Sequence, residues 1–211
     1  MELTIKSRKL ESYLNDKGLK ELDILKHEIE STGDFATYAK KSGQIMNRFP
    51  DKTVLYGYLT SFLEICEMNN IKFDLTYDSV KSISLGLGAL YGIQKNSYDK
   101  NKNQEIIIKT LAAVLSFLAI NEHDFWFKTT SYFNQIKSGK VFDVPLWSDV
   151  DTVAVGKNKY VDFLPCCYAA SAKSPFIVAG MSLNMTPVIE EYKNLTGVDL
   201  AQYGLSNLLI N

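Results

Sequence analysis

Apolar residues recur at helical spacing over the first 120 positions and collapse into short runs after about position 140. Leu10, Leu14, Leu22, Leu25 and Ile29 predict an amphipathic helix over 8–31, bent or broken at Gly18, with Lys and Glu on its other face. Gly33-Asp34 punctuates, and Asp34 caps a second helix carrying Phe35, Tyr38, Ile45 and Met46. Phe49-Pro50-Asp51 stops it, because proline disfavours the helical region for the residue before it. Leu55, Leu59, Phe62, Leu63 and Cys66 share one face of a third helix over 52–69. A fourth is predicted over 77–94. Its three glycines, Gly86, Gly88 and Gly92, each cost about 1 kcal/mol relative to alanine, so they suggest a face that another helix or a ligand approaches closely. The fifth follows the polar loop 96–103 and holds IIIKTLAAVLSFLAI, apolar nearly all round, which places it at the centre of a bundle. A sixth is expected over 124–137, with Phe125, Trp126, Phe127, Tyr132 and Phe133.

From Lys140 the texture becomes β-like. VFDVPLW, DTVAVG, YVDFL and PFIVA are short runs divided by Pro, Gly and polar residues, and CCYAASA reads as a short buried helix. Thr186-Pro187 predicts a helix start with Thr as the cap, ending near Gly197. Asp199 with Gln202 opens a last helix, AQYGLSNLLI. The fold class is therefore mainly α: one domain over 1–211, a multi-helix bundle with an irregular, β-containing insert at about 140–180. A subdomain boundary near Gly139 is the alternative.

Composition narrows the function classes. With 23 basic and 24 acidic residues, balanced in every quarter, the chain shows no basic footprint for nucleic acid. Only Arg8 and Arg48 are arginines, so bidentate phosphate or guanine recognition is poorly served. No signal peptide is visible at the N-terminus, and the apolar run of 106–120 contains Lys109 and falls short of the ~20 residues a membrane span needs. Three cysteines as free thiols point to the cytoplasm. No membrane partner, metal or cofactor is expected. His27, His123, Cys66, Cys166 and Cys167 are scattered without zinc-ligand spacing, and Asp149-Val-Asp151 lacks the glycine and glutamate of a calcium loop.

Two constellations bear on chemistry. Cys166-Cys167 follows Pro165 at a helix start, where the macrodipole lowers a thiol pKa, and His123 is the candidate base for a cysteine-dependent hydrolase or transferase. Buried small apolar residues are the competing reading of the pair. Glu122-His123-Asp124 is either a general base with raised pKa or a capping junction, with Asp124 at the N-terminus of the aromatic helix. A third, more distant reading is a small-molecule sensor with a pocket beside Gly86 and Gly92.

The aromatic residues weigh more. Of twelve Tyr, eleven Phe and two Trp, the residues Trp126, Phe127, Tyr132, Phe133, Phe142, Trp147, Tyr160 and Phe163 crowd into 125–163, with Asp143, Asp149, Asp151 and Asp162 among them. Core packing accounts for some, but interfaces enrich Tyr and Trp. The expected partner-binding residues are Trp126, Asp143, Trp147, Asp149, Asp151, Tyr160 and Asp162, facing a basic protein.

The segment 164–189 carries a Leu-Pro step at Leu164-Pro165, small residues at Ala169 and Ala170, a strand-like stretch through Ile177 and a helix opened at Pro187. In these 26 of 211 positions it resembles the tail of helical immunity proteins of bacterial polymorphic-toxin systems. That resemblance implies a cytosolic, non-enzymatic protein that neutralises a cognate toxin by direct binding, and it supplies no catalytic residues. The expected function is therefore protein binding without catalysis, of unassigned oligomeric state.

Overall fold

The computed structural model describes residues 3–8, 10, 11, 55–94, 100–131, 151–172 and 181–210. Most of the expected first helix, all of the second, the VFDVPLW and PFIVA runs and the Gly139 boundary lie outside these residues.

The centre is α3, Lys100–His123. From Ile107 to Asn121 all but Lys109 are buried, so the helix shows no solvent face and the other elements are its covers. Asn103–His123 is long and apolar enough to cross a membrane by length and composition; 78% of its span is buried inside the protein, which marks it as a core helix. Around it pack α1 (Leu55–Met68), α2 (Ile83–Gln94), α4 (Leu164–Ala172) and α5 (Thr186–Thr196). The buried apolar side chains form one cluster from Leu10 to Leu208. Among the described residues the chain is mainly helical, with a two-stranded sheet and a small three-stranded one.

The three-stranded sheet corrects the sixth helix. Trp126–Ser131 is strand β1, not helix. It pairs antiparallel with β2 (Asp151–Gly156), which pairs antiparallel with β3 (Tyr160–Val161). Three consecutive aromatics cannot share one helix face, whereas a strand sends Phe127 inward against Phe117 (ring centroids 5.1 Å apart) and Trp126 to the other side. Asp124, with φ 53°, ends α3 in the left-handed conformation, its N–H still bonded to the Ile120 carbonyl at 2.9 Å. It is thus the terminator of the long helix rather than the N-cap of an aromatic one.

The C-terminal end needs a second correction. Leu200–Tyr203 is a single 3-10 turn, stopped by Gly204 at φ 86°, and Leu208–Ile210 is strand β5, paired antiparallel with β4 (Met181–Leu183). Asp199 does cap the turn, accepting the Ala201 N–H at 3.0 Å, but the left-handed glycine prevents helix from continuing. At α5 the capping shifts by one: Met185 is the residue before the helix, and Asn184 Oδ1 accepts the Thr186 N–H at 3.1 Å. Over 77–94 the helix divides into a 3-10 turn, Tyr77–Ser82, and α2.

Leu75, just before that turn, holds φ 62° although it is not glycine. Its side chain is fully buried, and its carbonyl accepts Asn121 Nδ2–H at 2.9 Å.

The three glycines of α2 have different neighbours. A Cβ at Gly86 would sit 2.4 Å from the Phe62 ring and 2.8 Å from Cys66 Sγ, whereas nothing lies within 4 Å of one at Gly88 or Gly92. Phe62 cannot yield, being fully buried and edge-on to Phe73 at 5.3 Å. Gly86→Ala should therefore cost about 1–3 kcal/mol of stability. Gly88→Ala and Gly92→Ala should each add about 0.5–1 kcal/mol by removing glycine's entropy cost. Urea unfolding of the three variants checks the opposite signs.

Candidate functional site

Register puts residues of three strands into rows across the sheet. Phe127, Val155 and Val161 form the inner row, with Val155 and Val161 buried. Trp126, Gly156 and Tyr160 form the outer row. Trp126 is 49% exposed, and Tyr160 is half-buried. The central glycine is required by its surroundings, since a Cβ there would lie 1.8 Å from the Lys159 carbonyl oxygen. Two aromatic side chains therefore flank a buried glycine on a hydrogen-bonded platform. Exposed Lys157, Asn158 and Lys159 form the turn beside it.

Of the residues expected to bind a partner, Trp126 and Tyr160 come together in this row. Asp162 lies two positions further on, and its Oδ1 accepts the Leu164 N–H at 2.9 Å at the start of α4. Asp151 pairs with Ser131 at the far end of β2, five residues from Gly156 and so about 17 Å away. Asp143, Trp147 and Asp149 lie outside the described residues. The described rim of the row thus carries lysines as well as acids.

At the C-terminal end of α3, just before β1, the Glu122-His123-Asp124 run forms a polar junction. Glu122 accepts from Lys6 Nζ at 2.7 Å and from the Tyr77 N–H at 3.1 Å. Ser7 Oγ donates to Asp124 at 2.9 Å. Asn121 joins the N-terminal segment to the turn region, accepting the Lys6 N–H and donating to the carbonyls of Thr4 and Leu75. Asp74 receives hydrogen bonds from Thr4 and Thr76, which outweigh its partial burial and hold its carboxyl below the usual range. His123 Nε2 bonds the Tyr77 hydroxyl, and its ring stacks on Phe125 at 5.2 Å. Burial pulls the imidazole pKa down against the opposing pull of Glu122, the reverse of the raised value expected for a general base. Tyr77 is a hub: stacked on Tyr203 at 4.7 Å, edge-on to Tyr192, and 3.4 Å hydroxyl to hydroxyl from Tyr192. Burial pushes its phenol up to about 12, so it stays a proton donor. Nothing in the local sequence signals this hub, because its partners lie 46 and 115 positions away.

The cysteines do not assemble around His123. Cys167 is fully buried, and burial pushes its thiol well up, opposite to an activated nucleophile. Cys166 Sγ donates to the Phe163 carbonyl at 3.0 Å. Cys66 is buried under Gly86 and pushed up to about 12, so the closest approach at the α2 glycines is filled by Phe62 and Cys66. Among the described residues no three His, Cys, Asp or Glu side chains gather as a metal site requires.

Comparison with protein-family models, curated proteins and solved structures finds no match.

Thiol labelling reads this arrangement directly. Iodoacetamide at pH 7 should leave Cys66 and Cys167 unmodified in the folded protein and label both once urea unfolds it. Rapid labelling of Cys167 in the native state would contradict its burial.

Proposed function

We propose that the protein is a non-enzymatic binding protein that docks another protein through the outer row of its sheet. The observation that carries this reading is Trp126 and Tyr160 presented on either side of Gly156. A large aromatic held on paired strands keeps little conformational freedom to lose on binding, and Trp and Tyr dominate interface energetics. The specific form we favour is an immunity protein that neutralises a cognate bacterial toxin in the cytoplasm. The likeness of residues 164–189 to such proteins supports it, as do free thiols at all three described cysteines. Acids in the aromatic segment favour a basic toxin domain, while exposed Lys157 and Lys159 at the turn beside the row would face acidic groups on that partner.

Sequencing the neighbouring genes for a toxin-type protein, and calorimetric titration with it, test the proposal. A nanomolar or tighter Kd is expected, weakened by about 2–4 kcal/mol in Trp126→Ala and less in Tyr160→Ala, with both variants as stable as the parent. Absence of a complex overturns the immunity reading. A complex indifferent to both substitutions moves the interface elsewhere.

A further inference from the structure

The hydrogen-bond chain from Tyr192 through Tyr77 to His123 has a direction, and that direction depends on one proton. The Tyr192 side chain is fully buried, and among the described residues its hydroxyl has the Tyr77 hydroxyl as its partner. Tyr77 Oη bonds His123 Nε2 on its other side. A neutral imidazole protonated at Nδ1 accepts at Nε2. Tyr77 then donates to His123 and accepts from Tyr192, so both hydroxyl protons are satisfied. An imidazolium carries N–H at both nitrogens. Its Nε2–H takes the Tyr77 oxygen, and the Tyr77 proton must turn away, towards Tyr192 or towards Thr196 beside it. The chain thus gains a donor and loses an acceptor, while Thr196 Oγ1 already accepts the Val198 N–H.

We propose that protonation of His123 is a conformational trigger that loosens the Tyr77 turn, and with it the segments latched there from both ends of the fold. From the N-terminal side, Lys6 holds Glu122 and Thr4 holds Asp74. From the C-terminal side, Tyr203 lies stacked on Tyr77. The charged groups on the elements that meet here are Lys6, Arg8 and Glu11 on the N-terminal segment. Asp74, Asp78 and Lys81 lie along the turn, and Glu122 and Asp124 at the end of α3. Glu190, Glu191 and Lys193 lie on α5, with Asp199 beyond it. Among these Glu122 favours the imidazole's proton, and burial opposes it more strongly. The folded state therefore binds this proton more weakly than the unfolded chain. Its contribution to stability is complete above the unfolded histidine value of about 6.5 and is lost as pH falls through the lower folded value.

The test is NMR on the full chain between pH 8 and pH 5. Only two histidines are present, so the Cε1–H signal missing from His123→Gln identifies His123. The amides to follow are Tyr77, bonded to Glu122, and Leu205, bonded to the Leu200 carbonyl. In the parent their exchange protection factors should fall about tenfold, in step with the His123 titration, as the loss of one hydrogen bond predicts. In His123→Gln they should stay level. Unchanged protection across the His123 titration overturns the proposal. The same fall in His123→Gln also overturns it, by assigning the effect to a carboxylate. Should His123→Gln fail to fold, Tyr77→Phe serves: it removes the chain, so His123 should titrate without any change at Leu205, and a persisting fall there rejects the mechanism.

Discussion

A helix that is apolar on every side dictates the rest of this protein. Each large apolar side chain buried on α3 favours folding by about 1.5–3 kcal/mol, and the gain is realised only if some other element covers that side. Four helices and a strand do so. Asn121 is the polar exception at the buried end. With three hydrogen bonds to Thr4, Lys6 and Leu75, it converts a non-directional apolar surface into one where two chain segments dock in a single register.

Elements whose signal is local were legible in the sequence. The apolar faces of α1 and α3, the DTVAVG strand and the small-residue helix α4 stand where spacing placed them. Failures occurred where tertiary pairing overrode local pattern. Trp126–Ser131 has enough aromatic residues to suggest a helix face, yet it is captured by β2. The AQYGLSNLLI stretch has leucines at plausible spacing, yet Gly204 adopts a left-handed conformation and the final leucines pair with β4.

The candidate surface was half legible. Trp126 and Tyr160 stand out by residue type, but that they share a row depends on two strand registers meeting at Gly156. The same registers send Asp151 to the opposite end. The tyrosine hub was not legible at all. Composition shows twelve tyrosines, and only the fold distinguishes the one at position 77, whose neighbours come from the ends of α3 and α5 and from the turn before β5.

Leu75 embodies a conflict between backbone and side chain. Its φ favours glycine or asparagine, while its fully buried position favours a branched hydrocarbon. No standard residue answers both demands, so evolution along this chain could relieve one only by aggravating the other. Substitutions at 75 are then expected to form a shallow set of compromises rather than a single optimum. Improvement would have to come from its surroundings, through a change in the path of the chain between α1 and the Tyr77 turn.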